Sequence, residues 1–183
     1  RTNQWIQRAQ AAGANSAQLK QLQAYVQGQS GDYGAVAKEA SAAVAAAEQA
    51  GRRPDEGDLL RLADAQQRTN NPAGQLATLQ KLVVHYPKKD YWAAYLGRLQ
   101  RKSGFSDRFA LDVMRLKLAT GNLSKTEEFM EMTQLALHAG YTAEGKAIVD
   151  KGFASGALGT GAEAERHKRL RDLAEKRDAE AKA

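Results

Sequence analysis

Residues 55–87 read DEGDLLRLADAQQRTNNPAGQLATLQKLVVHYP, and this stretch decides the fold class. Leu59, Leu62, Ala63 and Gln66 recur at three-four spacing, as on one face of a helix. Asn70-Asn71-Pro72 breaks that helix, because proline cannot continue one and asparagine favours turns. Ala73, Leu76, Leu79, Leu82 and Val83 then mark a second apolar face, which Tyr86-Pro87 stops. Two such helices around a turn form a hairpin. One hairpin cannot bury both its faces, so it requires neighbours of the same shape.

The rest of the chain repeats the pattern. Thr2 to Ala12 reads as a lone helix carrying Trp5 and Ile6 and ended by Gly13. Asn15-Ser16 can cap the next helix, whose face is Leu19, Leu22, Tyr25 and Val26, with a turn at Gly28 to Gly31. Tyr33 to Ala50 is an alanine-rich helix striped by Val36, Ala40 and Val44, with Gly51 as its C-terminal stop. Beyond Pro87, Tyr91 to Arg101 presents Trp92, Tyr95, Leu96 and Leu99. Ser106 or Asp107 is placed to cap a helix that carries Phe109, Val113, Leu116 and Leu118 and is stopped by Gly121. Ser124 and Glu127 have capping-box spacing, ahead of Phe129, Met132, Leu135 and Ala136. Thr142 to Ala154 follows with Ala147, Ile148, Val149 and Phe153. Gly156 to Gly161 reads as a flexible connection, and a charged last helix from about Ala162 carries Leu170 and Leu173. No segment alternates as a strand does.

At 183 residues the chain is the size of one domain or one compact array. Its apolar fraction leans on alanine, the best helix former. Its three prolines, Pro54, Pro72 and Pro87, fall where helices begin or end. With no cysteine, disulfides and thiolate metal sites are excluded, although the compartment is not fixed by that. No apolar run approaches the roughly 20 residues of a membrane span. The chain opens at Arg1 inside a helix, so it reads as a processed or truncated piece, with 1–13 the remnant of a preceding repeat.

Catalytic and metal chemistry find little to work with. His85, His138 and His167 are far apart in sequence, and none has a His, Glu or Asp at helical spacing in a recognised metal-binding pattern. His167 moreover sits among Arg166, Lys168 and Arg169. The glycines of 156–161 follow a helix rather than a strand, against a phosphate-binding loop. Carboxylates at Asp55, Glu56 and Asp58, and at Glu127, Glu128 and Glu131, lie in first helical turns, where the helix dipole favours them. No nucleophile elbow is present. The expectation is a protein without cofactor, metal or catalysis.

Helix pairs of about 34 residues resemble the tetratricopeptide repeat. The resemblance rests on Leu59, Leu62, Ala63, Leu79, Leu82 and Pro87; on Trp92, Tyr95 and Leu99; on Phe129, Met132, Gly140, Gly145, Val149 and Gly152; and more loosely on Leu19, Leu22, Ala40 and Gly31-Asp32-Tyr33. Gln66 stands where that family usually has an aromatic, Gln75 where it has alanine, and the Gly51–Pro54 loop is long. The resemblance implies an all-α solenoid of antiparallel helix pairs, a single array over 1–183. Its degenerate repeats are 16–51, 55–87, 90–121 and 124–156, and 162–182 is a capping helix. Tyr86-Pro87-Lys88-Lys89-Asp90-Tyr91-Trp92, Gly104 to Arg108 and Leu118 to Asn122 also look like exported bacterial repeat proteins. That likeness implies a periplasmic or envelope location, with the cytoplasm as the other choice.

By the same resemblance, first helices line a concave face that takes a peptide or protein partner. Carried across, that face holds Lys20, Gln21, Arg61, Asp64, Arg68, Ala94, Arg101, Met130, Glu131, Gln134 and His138. Arg61, Asp64 and Arg68 fall on one stripe opposite the leucines, either as a peptide clamp, since arginine holds carboxylates bidentately, or as an intrahelical ion-pair ladder. The net charge of +6 raises the alternative of an anionic polymer or surface held by Lys88, Lys89, Arg98, Arg101, Lys102, Arg108 and the tail from Arg166 to Arg171. Few aromatics interleave with those cations, which disfavours nucleic acid. Self-association through Trp5 and Ile6 is a third expectation.

Overall fold

The computed structural model describes residues 2–13, 17–29 and 31–183. Among the described residues the chain is all-helical, with no strand: α1 (Thr2–Ala11), α2 (Ala17–Gln29), α3 (Tyr33–Gln49), α4 (Glu56–Arg68), α5 (Pro72–His85), α6 (Lys89–Gln100), a 3-10 turn (Asp107–Phe109), α7 (Ala110–Ala119), α8 (Thr126–His138), α9 (Thr142–Ala154) and α10 (Ala164–Lys182). Within residues 1–98, α1 packs on α2, α2 on α3, α3 on α4 and α4 on α5; within 99–183, α7 packs on α8, α8 on α9, and α10 on both α8 and α9. The chain divides into two compact units, residues 1–98 and 99–183.

Unit 1 is built on the decisive hairpin. Asp55 caps α4 by accepting from the Asp58 N–H at 3.2 Å, and Asn71 caps α5 by accepting from Gly74 at 3.0 Å. Asn70 turns the chain at φ 54°, a left-handed conformation that asparagine tolerates. Leu59, Leu62, Ala63, Leu79 and Leu82 form one core with Ala40 and Val44 of α3. Gln66, out of place for the resembled repeat, has a physical role here. Its amide lies 2.7 Å from the Thr78 hydroxyl and, with its nitrogen turned to α5, also donates to Gly74 O at 3.1 Å. A polar bridge thus ties the two helices where an aromatic would fill space. Glu56 joins α4 to α6 by accepting from Lys88 Nζ at 2.7 Å and from the Tyr91 hydroxyl. Those bonds hold Glu56 below the usual carboxylate range and push Tyr91 up to about 12.

The N-terminal helices depart from expectation. Ile6 is buried and α1 packs on α2, while Trp5 stays exposed. Of the apolar face assigned to α2, Leu19 is buried, but Leu22 and Tyr25 face solvent. The expected cap at Asn15-Ser16 lies outside the described residues, as does Ser30 of the expected Gly28–Gly31 turn; Gly28 itself belongs to α2.

Unit 2 packs α7, α8, α9 and α10 around Leu111, Met114, Phe129, Met132, Ala136, Ile148, Val149 and Leu170. Several sequence expectations are corrected. Neither Ser106 nor Asp107 caps by its side chain; Val113 is buried as expected, but Phe109 and Leu116 are exposed, and Leu111 and Met114 are buried in their place. The cap of α8 is Lys125, not Ser124: its N–H donates to Glu128 at 3.2 Å, and Glu127 stays outside. The loop 156–161 is no loose connection. Leu158 is 1% exposed, its N–H donates to Gly152 O, and Thr126 Oγ1 donates to Ala157 O at 2.7 Å. In α10 the stripe is His167, Leu170, Ala174 and Asp178, whereas Leu173 is exposed, as is Ala147 of α9.

Arg115 of α7 grips Glu144 of α9 with both arms, Nε to Oε1 at 2.8 Å and Nη2 to Oε2 at 2.7 Å. The guanidinium holds the Glu144 carboxyl below its ordinary 4.5. A depressed carboxylate contributes stability above its unfolded pKa, and that contribution is lost as pH falls through the folded value. Unit 2 should therefore weaken with acidification below about pH 4.5, and Arg115→Met should remove that part of the slope. Thermal midpoints of both proteins across this window would check it. Parallel curves would exclude the pair as the cause.

Candidate functional site

Unit 1 holds a polar cleft of about 630 Å³ between α2, α3 and α4. Its floor is Ala43, Ala46 and Ala47, small residues that leave the space open. Lys20 and Gln21 of α2 form one wall, and Gly57, Asp58 and Arg61 of α4 the other. The loop after α3 closes the end with Arg52 and Arg53. Gly51, at φ 68°, ends α3 in the left-handed conformation open to glycine, and Arg52 N–H donates to Ala47 O at 2.9 Å. This turn delivers both arginines to the cleft. Arg53 stacks 4.4 Å from the Tyr86 ring centre, and the Tyr86 hydroxyl donates to Pro54 O at 2.7 Å.

Four cations thus meet two carboxylates, and both carboxylates are already engaged. Asp55 is occupied as the α4 cap, and the buried Asp58 pairs with Arg61. Behind Arg61 lies a small void of about 20 Å³ with Glu39 on its wall, room for a single water. Burial pushes the Glu39 carboxyl up, and Lys20 and Arg61 pull it back. Lys20, Glu39, Asp58 and Arg61 therefore act as one charge cluster, with Lys20 and Arg52 having no carboxylate partner in an ion pair among the described residues.

The residues expected on one concave face are distributed differently. Lys20, Gln21 and Arg61 meet in this cleft. Arg61 turns inward to Asp58, so it forms no single exposed stripe with Asp64 and Arg68. Those two make an exposed ion pair at 3.1 Å, and Arg68 lies 4.7 Å over the Tyr33 ring. Arg101 and His138 are exposed in unit 2, and Ala94 is exposed on α6. Met130 belongs to the core of unit 2 rather than to an open face. Glu131 and Gln134 line a separate cleft of about 300 Å³ there, with Glu127, Glu163, Arg166 and His167. Arg52 and Arg53 escaped the sequence reading because they stood in a loop; the signal was two arginines directly after a helix-ending glycine and before a proline.

Among the described residues, no group of three or more His, Asp or Glu is placed to hold a metal ion, and no helix is long and apolar enough to cross a membrane. No family model, curated protein or solved structure matches the chain.

Proposed function

We propose that this chain is a non-catalytic interaction module whose unit 1 cleft binds an acidic peptide segment of a protein partner. The observation that carries this reading is the surplus of cations over an alanine floor, with both local carboxylates occupied inside the protein. Arg52, and Lys20 beyond its attraction to Glu39, are left to meet carboxylates from outside, and a guanidinium does so with two parallel bonds. The antiparallel helix pairs of tetratricopeptide-like kind that the sequence resembles support it, since such an array presents first-helix side chains together. Asp64, Arg68, Arg101 and Gln134 play no part in this cleft. The resemblance to exported repeat proteins supports an envelope location for this module.

Selection of a random peptide library on the immobilised chain tests the proposal. Wild type should enrich peptides bearing paired Asp or Glu, and Lys20→Ala/Arg52→Ala should weaken the enriched peptides by about a hundredfold, as loss of two charge-assisted contacts predicts. Enrichment that survives the double substitution would place binding elsewhere. Competition by heparin or nucleic acid with a steep salt slope would instead favour a polyanion ligand.

A further inference from the structure

Another concavity, of about 450 Å³, lies wholly within unit 2. Phe109, Val113 and Leu116 fall at four- and three-residue spacing, hence on one face of α7 and the turn before it, and that face is one wall. Leu99, near the end of α6, and Phe105 extend the apolar lining, and the Phe105 and Phe109 rings lie 6.3 Å apart. Phe109 is 41% and Leu116 39% exposed, so the groove keeps large apolar side chains in water. Its volume and lining are those of a small-molecule site, which spans roughly 300–1,000 Å³.

The facing wall is the loop 102–106. Gly104, at φ 82°, turns it, and the Phe105 N–H donates to Lys102 O at 3.1 Å. This turn puts Lys102, Ser103 and Ser106 on the groove. Among the described residues the Lys102 ammonium has no carboxylate at ion-pair distance, and neither serine hydroxyl has a protein partner. The Arg108 guanidinium, also without an ion pair there, lies 4.6 Å over the Phe109 ring. Asp107 does not line the groove, and Asp112, the carboxylate on the α7 wall, has Arg115 Nη1 at 3.0 Å. Arg115 also holds Glu144, so one negative charge remains on that side. Carbon on one wall, with donors and uncompensated cations on the other, describes an alkyl chain with an anionic head. A peptide would bring backbone N–H and C=O groups along its length, and a helical wall keeps its own backbone groups bonded within the helix.

We propose that this groove binds a monomeric fatty carboxylate. The alkyl chain lies along Phe109, Val113 and Leu116, and the carboxylate accepts from the Lys102 ammonium and from the Ser103 and Ser106 hydroxyls. Asp112 fixes the direction, because a carboxylate head beside it would meet a like charge. The site shares no residue with the unit 1 cleft and stands or falls separately from it.

The test is an amide NMR titration of the whole chain with dodecanoate below its micelle concentration, beside dodecan-1-ol, acetate and acetyl-Asp-Phe-Asp-amide. Dodecanoate should give saturable shifts at Lys102, Phe105, Phe109 and Leu116. Dodecan-1-ol should bind there about tenfold more weakly, having lost the charged head, and acetate should not saturate. Lys102→Gln should weaken dodecanoate about threefold, as one exposed ion pair allows, and Leu116→Glu should weaken it at least about tenfold by placing a like charge on the apolar wall. Lys20→Ala/Arg52→Ala should leave it unchanged. If Leu116→Glu disturbs the fold, the same spectra reveal it, and Lys102→Glu, on the exposed loop, takes its place with the same expected loss. Equal binding of the alcohol, shifts scattered over other exposed apolar residues such as Leu60 and Val84, or full binding by a folded variant would overturn the proposal. So would tighter binding of the acidic peptide in this groove, which would assign it to a protein partner.

Discussion

Leu82→Ala should lower the stability of unit 1 by about 3 kcal/mol, within the range for truncating a fully buried leucine. Leu82 is 0% exposed, and it shares a core with Leu59, Leu62 and Leu79. Alanine is at least as good a helix former as leucine, so helix propensity cannot account for a loss. The cost comes from lost burial and from the cavity left when the neighbours relax only partly. Tyr86 packs on the same cluster, and its ring carries Arg53 at the cleft. A void beneath it should therefore also loosen one wall of the proposed peptide site. Urea unfolding would show a lower midpoint with an unchanged slope. Val84→Ala, two residues on but 67% exposed, should move stability by less than about 0.5 kcal/mol. Equal effects of the two substitutions would mean that Leu82 is not a core residue.

Gly152→Val should cost unit 2 about 3 kcal/mol, for the reverse reason: too much volume. Gly152 lies inside α9, where replacing glycine ordinarily gains about 0.5–1 kcal/mol of helix stability. A Cβ there would sit 2.6 Å from Leu158 Cδ1, 2.8 Å from Leu158 Cγ and 3.2 Å from Phe129 Cγ. Leu158 is buried and its N–H is bonded to Gly152 O, so it has little freedom to retreat. The loop it anchors also supplies the Gly159 N–H that orients His167. Adding Leu158→Ala to Gly152→Val should recover part of the loss, a coupling that a double-mutant cycle measures directly. Strict additivity of the two changes would show that the clash is absent.

How far the sequence reaches is clearest in particular elements. Asp55, Asn71 and Pro72 place the ends of α4 and α5 because a cap acts through the backbone within a few residues of itself. The same locality makes Leu59, Leu62, Leu79 and Leu82 readable as core. At the start of α8 that reasoning chose Ser124, whereas Lys125 caps the helix. Glu128 reaches back to the Lys125 N–H, and the Thr126 hydroxyl is drawn to Ala157 across the unit. On α10 the sequence pointed to Leu170 and Leu173; only Leu170 is buried, and the charges around His167 hid the buried His167–Leu170–Ala174 stripe.

Helical class, element order and the leucine core of the hairpin are therefore written in the sequence, since they follow from spacing and from backbone chemistry of short range. The two clefts are not. Arg52 meets Lys20 only because α2 packs beside α3, and Glu131 meets His167 only because α8 and α10, distant along the chain, lie in contact. Side-chain direction decides the rest: Arg61 and Arg68 share one helix face in the sequence, yet one turns to Asp58 and the other to Asp64 and Tyr33. Periodicity predicts which face a residue occupies. Which partner it finds there is decided by the neighbouring helix.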